Sequence, residues 1–274
     1  MTSCLVPKRR VSSGGFTLIE ILMGLVLIGI LSALAMDMVG DSIEEARFEQ
    51  TRQEMRQIAD ALLGNTSLKQ DGVRTSFGFF GDVGALPAAL TALTTNPSLP
   101  EWAVSSDVRF GYGWNGPYLV TNASSGDSLS TDEWGRAYVY SPEATPATLT
   151  SLGRDGEVGG TGYDQDLEVT LDYQGQEATV TGFLSSGGSP FVGDAEIEFN
   201  YPDGNGVISQ PTDTIAASDP DPGKFEFTSV PMGLRSLTIY IPSKAAATQT
   251  IGPKTFTVDQ KKFLVPATLL ELSP

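Results

Sequence analysis

The sequence predicts an α+β protein: a long N-terminal helix packed on a small β-containing globular domain, followed by an all-β sandwich domain. Three observations support this prediction. An apolar run covers residues 16–36 and leads into an amphipathic stretch. The middle region, residues 64–175, is rich in glycine and polar residues and has only short apolar segments. Residues 177–274 alternate apolar and polar side chains between turn signals, which is typical of strands.

The composition excludes several functional classes. With 274 residues and 40% hydrophobic content, the chain can form packed cores in two domains. A formal net charge of −16, with no basic stripe, would repel phosphate backbones, so nucleic acid is not expected as a partner. The chain has no histidine, which removes the common catalytic triads and zinc sites. Its single cysteine, Cys4, cannot form an intramolecular disulfide.

Residues 16–36 are predicted to form a single-pass transmembrane helix. The run contains one charged residue, Glu20, and follows a basic cluster at residues 8–10. As a helix it would span roughly 31 Å, the thickness of a bilayer core. A plain membrane anchor, a buried core helix and a secretory signal peptide cleaved after residues 33–35 are the alternatives. The apolar run is longer than that of most signal peptides, which disfavours the last.

The carboxylate of Glu20 requires a cationic partner, because a charge inside a membrane span costs about 3 kcal/mol. No lysine or arginine lies within helical reach of it in the apolar run. Cleavage between Gly15 and Phe16 would create an α-amino group four residues upstream. In a staggered bundle of helices, the amine of a neighbouring subunit would neutralise Glu20.

The segment GGFTLIE, residues 14–20, follows the basic cluster and resembles the prepilin peptidase signature of type IV pilins and type II secretion pseudopilins. This resemblance implies cleavage of a leader, residues 1–15, after Gly15 by prepilin peptidase, and N-methylation of Phe16. It also implies that Glu20 pairs with the N-terminus of a neighbouring subunit in a helical homo-oligomeric filament. Asp37 departs from the family, since many members have a helix-bending proline there.

The predicted helix continues beyond the membrane to about residue 63. No glycine or proline interrupts residues 41–63, and Gly64–Asn65 supplies a stop signal. Spacings of 7, 3 and 4 place four apolar residues on one face of this half: Phe48, Met55, Ile58 and Leu62. The N-terminal helix is therefore expected to cover residues 16–63.

The middle region carries an ordered set of short motifs. They are GPYL at residues 116–119, a tryptophan-glycine segment at 132–140 and SLGRDG at 151–156. We predict strands at residues 136–141 and 167–173, and a short helix at 86–93. In this order the motifs resemble the major pseudopilin of type II secretion, over roughly residues 14–170. The resemblance implies a pilin fold, in which a long helix packs on a small β-containing domain.

An acidic loop at residues 151–166 is a candidate calcium site. Its carboxylates lie among glycines, which combines short oxygen ligands with a backbone free to turn its carbonyls inward. The spacing does not match an EF-hand. A solvated glycine-aspartate turn is the alternative. Magnesium is less favoured, because it demands near-ideal octahedral geometry.

The pseudopilin resemblance implies a specific set of calcium ligands in the acidic loop. Asp155, Asp164 and Asp166 would supply carboxylates, and Leu152 and Glu157 would supply main-chain carbonyls. Many family members have adjacent aspartates where this chain has a glutamine between Asp164 and Asp166. Which of these two aspartates binds the ion, or whether both do, is left open by the sequence.

Residues 177–274 are expected to form a sandwich of about seven strands, joined to the preceding domain at residues 174–176. The apolar positions of the alternating runs are as follows: Ala195, Ile197, Phe199, Tyr201, Phe225, Phe227, Leu237, Ile239, Ile241, Phe256 and Val258. The segments TVTG, GDAEI, GKFEF and VPMG, which begin at residues 179, 193, 223 and 230, resemble carboxypeptidase regulatory-like, transthyretin-related modules.

The leading hypothesis is a structural subunit of a type II secretion pseudopilus. It would be anchored in the bacterial inner membrane with its globular part in the periplasm or outside the cell, and would assemble with itself and other pilin-like subunits. One alternative is a type IV pilin or minor pilin for adhesion or motility, with the sandwich as a binding module. Another is a pilin-anchored enzyme. Glu196 and Glu198 are the closest carboxylate pair, but alternation predicts a solvated strand face there, so no enzymatic activity is expected.

Overall fold

The computed structural model describes residues 15–119 and 130–272, with the backbone alone for residues 33–39. The chain divides into two compact units, one ending at Arg47 and the other beginning at Phe48. Of the predicted leader, residues 1–14 lie outside the described part, and Gly15 is the first residue within it.

Helix α1 (Leu18–Leu63) begins in the first unit and continues into the second. It ends at the predicted residue, because Gly64 takes a left-handed conformation with φ of +77°. In the first unit its large apolar side chains are exposed from Leu18 to Leu31. Among the helices of the described residues, none combines the length and the hydropathy that a membrane crossing requires.

The first part of the second unit contains short elements around the C-terminal half of α1. In chain order they are β1 (Lys69–Gln70), β2 (Val73–Arg74), α2 (Gly78–Val83), a 3₁₀ turn (Leu90–Leu93), β3 (Ala103–Val104), β4 (Gly111–Tyr112), β5 (Val139–Ser141), β6 (Ala147–Ser151), a 3₁₀ turn (Gly162–Asp164) and β7 (Leu167–Leu171). Strands β5, β6 and β7 form an antiparallel sheet, and β1–β2 and β3–β4 are separate pairs. The helix predicted at residues 86–93 is only a 3₁₀ turn, because Ala89 has an extended backbone.

The apolar face predicted for α1 forms the core of this part. Met55, Ile58 and Leu62 are fully buried. They share a cluster with Leu149 and Leu171 of the β5–β6–β7 sheet. Each such side chain contributes about 1.5–3 kcal/mol through its removal from water. The helix is therefore held on the sheet by the face that its spacing predicted.

The sandwich follows a 3₁₀ turn (Gln174–Gln176). Its elements are β8 (Glu177–Phe183), β9 (Ser185–Ser186), β10 (Ser189–Pro190), β11 (Ala195–Pro202), β12 (Ile208–Ser209), β13 (Thr212–Ile215), β14 (Lys224–Pro231), β15 (Gly233–Ile241), a 3₁₀ turn (Lys244–Ala246), β16 (Gln249–Val258), β17 (Lys262–Leu264), α3 (Ala267–Leu270) and β18 (Glu271–Leu272). These are more strands than the predicted seven, because several two-residue pairs add to the long ones.

Two main sheets face each other across the sandwich core. One has the order β12–β11–β15–β16, with β13 also paired to β11, and the other has the order β14–β8–β17. Phe199 of the first sheet contacts Phe227 of the second, with ring centroids 5.0 Å apart. The apolar positions predicted to face inward are confirmed, since those of β11, β14, β15 and β16 supply most of this core. The predicted fold class, a long helix on a β-containing domain followed by an all-β sandwich, is confirmed.

Candidate functional site

The first turn of α1 contains the residues predicted for processing and assembly. Thr17 precedes the helix, and its Oγ1 accepts the backbone N–H of Glu20 at 3.3 Å. In return, Oε2 of Glu20 accepts the backbone N–H of Thr17 at 3.4 Å. This reciprocal arrangement is a capping box, which the Thr-x-x-Glu pattern could have predicted. Both contacts are long and exposed, so the carboxylate of Glu20 remains accessible one turn from Phe16.

Gly15 and Phe16 lie in open surroundings. A Cβ added at Gly15 would meet no atom within 4 Å, so packing within the described chain does not require glycine at this position. The side chain of Phe16 is 79% exposed. Packing within the described residues therefore does not fix the identity of either residue.

The acidic loop connects β6 to β7, and its two arms lie against each other. Arg154 donates its backbone N–H to the carbonyl of Tyr163 at 2.8 Å, and Asp166 donates to the carbonyl of Gly159 at 3.1 Å. Gly160 has φ of +80°, and a Cβ there would come within 2.3 Å of the carbonyl oxygen of Asp164. The close approach of the arms depends on glycine at that position.

The three carboxylates predicted to bind calcium differ in their hydrogen-bond partners. Both oxygens of Asp164 accept from Arg154, at 2.8 Å from Nε and 2.9 Å from Nη2. This pair holds the pKa of Asp164 below its usual value. Oδ1 of Asp155 accepts the backbone N–H of Glu157 at 3.0 Å. Asp166 accepts from Gly159 through Oδ2, while its Oδ1 is buried without a hydrogen-bond partner.

The acidic loop thus contains oxygen ligands that suit a hard cation, but it does not group all of them at one place. Within the part of the chain that the structure describes, no three histidine, cysteine, aspartate or glutamate side chains are grouped to hold a metal. The buried, unpartnered oxygen of Asp166 fits a cation ligand, since such an atom otherwise costs about 1–3 kcal/mol. Asp164 fits a cation ligand only after its ion pair with Arg154 is broken. Leu152 lies at the end of β6 and Glu157 lies in the turn beyond it.

A buried carboxylate that the sequence analysis missed supports the base of this loop. Asp132 is only 5% exposed. Its Oδ1 accepts the backbone N–H groups of Trp134 at 3.0 Å and Arg136 at 2.9 Å. Its Oδ2 accepts the hydroxyl of Ser151 at 2.6 Å. The tryptophan-glycine segment is thereby joined to the residue at which the acidic loop begins.

The expectation of a solvated face around Glu196 and Glu198 is wrong for Glu198. This residue is 4% exposed. Its carboxylate pairs with the ammonium of Lys244 and accepts from Gln210 at 3.2 Å. The pairing raises the pKa of Lys244. Side chains distant in sequence cover this carboxylate, which alternation along one strand cannot reveal.

Comparison with known proteins places these features in a family. The sequence family described as type II secretion system protein G matches residues 79–170. The family described as the prokaryotic N-terminal methylation motif matches residues 10–36. The type II secretion system core protein G of Pseudomonas aeruginosa is 29% identical over 161 residues, which are 58% of this chain and 96% of that protein. The protein of the same name from Xanthomonas campestris pv. campestris is 28% identical over 165 residues, 58% of this chain and 91% of its own length.

The matched segments contain both parts of the candidate site. The methylation motif covers Gly15, Phe16 and Glu20, and the protein G model includes the acidic loop up to residue 170. The sandwich lies beyond both. With its capped N-terminal helix, its β-containing domain and its glycine-rich acidic loop, the chain is similar to the pilin-like major pseudopilins over these matched segments.

Proposed function

We propose that this chain is a structural subunit of a type II secretion pseudopilus, whose polymerisation through the N-terminal helix drives protein export. The observation that carries the proposal is the exposure of the apolar half of α1. Leu18, Leu25 and Leu31, for example, are 82%, 65% and 64% exposed. A continuous apolar surface of this kind requires a covering phase. A membrane would cover it before assembly, and the helices of neighbouring subunits would cover it afterwards.

Processing prepares this helix for assembly. Prepilin peptidase removes the leader after Gly15, and Phe16 becomes an N-methylated amino terminus. The subunit is then a single-pass protein of the bacterial inner membrane with its globular part in the periplasm. The methylation motif over residues 10–36 and the open surroundings of Gly15 support this sequence of events.

Glu20 pairs with the amino terminus of an adjacent subunit during polymerisation. Among the described residues, its carboxylate accepts one long hydrogen bond, from the backbone N–H of Thr17 at 3.4 Å. A charge-assisted hydrogen bond to an ammonium group is shorter and about twice as strong as a neutral one. The capping box therefore holds Glu20 at the helix start until the stronger partner replaces it.

The acidic loop binds calcium through Asp155, Asp164 and Asp166, with the carbonyls of Leu152 and Glu157 completing the set. Calcium would supply a cross-link between the two arms of the loop, in a globular part that contains no cysteine. The buried oxygen of Asp166 supports this proposal. Arg154 neutralises Asp164 in the absence of the ion and gives it up when the ion binds.

A second candidate function is that of a type IV pilin or minor pilin in adhesion or motility. The observation that favours it is the sandwich, which has its own buried core and lies beyond both matched segments. We infer that this domain is a carboxypeptidase regulatory-like module used as a contact surface. In either function the subunit is structural and not an enzyme.

The N-terminal chemistry tests the proposal. The full-length protein is isolated from membranes of cells with and without prepilin peptidase, and its intact mass is measured. We expect a chain that begins with methylated Phe16 only when the peptidase is present. An uncut leader in both strains, or a start at Met36, would contradict it. Glu20→Gln should be processed but excluded from filaments, while the matched control Glu49→Gln, an exposed glutamate of the same helix, should assemble normally.

A further inference from the structure

A cleft of about 510 Å³ lies where the sandwich packs on the β-containing domain. Trp102, Asp82 and Asn115 line it from the domain side, and Arg235 and Thr257 line it from the sandwich. Its volume is within the range of small-molecule sites. None of these residues belongs to the processing site, to the acidic loop or to the apolar helix.

Two side chains that line this cleft pack against the backbone of glycine residues. The indole of Trp102 lies against Gly111, where an added Cβ would come within 2.0 Å of the ring. Likewise, a Cβ at Gly233 would lie 2.7 Å from the guanidinium of Arg235. Glycine is therefore required at both positions for the wall side chains to lie where they do. The cleft is preformed and does not depend on a ligand to shape it.

Two charged groups of the cleft, Arg235 and Asp82, already have hydrogen-bond partners. Arg235 is 1% exposed. It donates to four backbone carbonyls at 2.8–2.9 Å, those of Gly81, Pro231, Met232 and Leu234. Asp82 accepts the hydroxyl of Tyr118 at 3.1 Å and a side-chain hydrogen bond from Asn115. The guanidinium groups that line the cleft are thus paired, while the lining carboxylate of Asp71 is exposed, which disfavours an anionic ligand.

The remaining recognition groups are aromatic side chains, of which Trp102 is the exposed one, and several hydrogen-bonding groups. Trp102 is 40% exposed, and its backbone is held by a 3.0 Å hydrogen bond to the carbonyl of Trp114. Asp82 and Asn115 offer further acceptor and donor capacity, and Thr257 adds a hydroxyl. A ligand that suits these groups has an apolar ring face, several hydroxyl groups and no negative charge.

We propose that this cleft binds a neutral saccharide, with the C–H face of one sugar ring on Trp102 and its hydroxyls on Asp82 and Asn115. The site is independent of the proposed role in the filament. It would give each subunit a contact with glycans that polymerisation itself does not require.

The test uses the full-length processed protein in dodecylphosphocholine, because a maltoside detergent would itself present sugar to the cleft. Maltotriose, cellotriose and triacetylchitotriose are each titrated, and saturation-transfer difference NMR is recorded. We expect transfer to the ring protons of at least one trisaccharide. Trp102→Ala should weaken its binding at least tenfold, whereas Phe183→Ala, which removes a half-exposed aromatic outside the cleft, should not change it.

A second variant tests the same site independently, in case Trp102→Ala does not fold. Thr257→Arg adds bulk at the cleft and removes no buried side chain, so it should abolish transfer while thermal unfolding stays unchanged. Absence of transfer from all three trisaccharides, or unchanged binding in both variants, would overturn the proposal. Filament assembly of Trp102→Ala should be normal, which separates a failure of this site from a failure of the pseudopilus function.

Discussion

The acidic loop and the contact between α2 and the sandwich each depend on an arginine, but they use it in opposite ways. In the loop, the side chain of Arg154 is 48% exposed and binds one carboxylate, that of Asp164. At the contact, Arg235 is 1% exposed and donates to four backbone carbonyls, one of them from Gly81 of α2. The first interaction is a pair of charges in water, and the second is a buried cation surrounded by dipoles.

This difference determines what each region can do. An exposed ion pair contributes between zero and about 1 kcal/mol, so the loop can exchange its arginine for another cation at little cost. A buried guanidinium that satisfies four carbonyls cannot be exchanged, because its loss leaves those acceptors without donors. The loop is therefore suited to binding, and the contact to fixing the sandwich on the domain that precedes it.

Removal of Arg235 should have the largest effect. We expect Arg235→Ala to lower the free energy of unfolding by at least about 3 kcal/mol, since each buried acceptor left without a donor costs about 1–3 kcal/mol. Urea unfolding of the full chain measures it. Arg56→Ala, an exposed arginine of α1, is the matched control and should stay within about 0.5 kcal/mol. Equal stability of the two variants would mean that the contact does not hold the sandwich.

Calcium should have the next largest effect, and it should act on the loop alone. At a free concentration of about 100 times the dissociation constant, the ion should add about 2.7 kcal/mol to the stability of the wild-type protein. Asp166→Asn should remove this gain, because it replaces the carboxylate whose Oδ1 has no partner. Asp107→Asn, at an exposed aspartate elsewhere, should keep it. Identical thermal unfolding with and without calcium would exclude the site.

The pH dependence of stability should distinguish the contact from the loop. Burial raises the pKa of Asp82 above its ordinary value of 3.8. A raised folded-state pKa means that the folded protein holds this proton more tightly than the unfolded chain. The resulting stability is complete below the unfolded pKa and is lost as the pH rises through the folded pKa.

Asp82→Asn cannot titrate, so the stability of the wild type relative to this variant should increase on acidification from neutral pH toward pH 3. Urea unfolding at intervals across that range measures the difference. Glu168→Gln, at an exposed glutamate of β7, serves as the control and should run parallel to the wild type. A difference between wild type and Asp82→Asn that shrinks as the pH falls would show that Asp82 is not stabilised in its neutral form.

The same contrast explains what could be predicted from the sequence. The end of α1 and its apolar face depend on periodicity and a stop signal, which are local, and both are correct. The sequence does not predict strand β6 (Ala147–Ser151). Its apolar residues are one alanine and one leucine among threonine and serine, and a proline precedes it. The burial of Glu198 and Arg235 depends on partners brought together by the fold, which no local pattern in the sequence indicates.

The candidate cation ligands of the acidic loop could be predicted from the sequence, but their arrangement in space could not. Its glycines and aspartates are contiguous in the sequence, so the candidate ligands were identifiable. The pairing of Arg154 with Asp164 joins the two arms and depends on how the backbone folds back. Support from Asp132 depends on Ser151, nineteen residues away. Neither interaction has a local signature.

The smallest effect on stability should come from Arg154→Ala. Without calcium we expect a loss of no more than about 1 kcal/mol, because the pair with Asp164 is exposed. With calcium this loss should disappear, since the ion displaces the guanidinium from both oxygens of Asp164 in the wild type and meets no competitor in the variant. Isothermal titration of the full chain should therefore show tighter calcium binding in Arg154→Ala than in the wild type, with Arg109→Ala as an exposed control that leaves affinity unchanged. Weaker binding in Arg154→Ala would mean that Arg154 orders the loop for the ion rather than occupying its place.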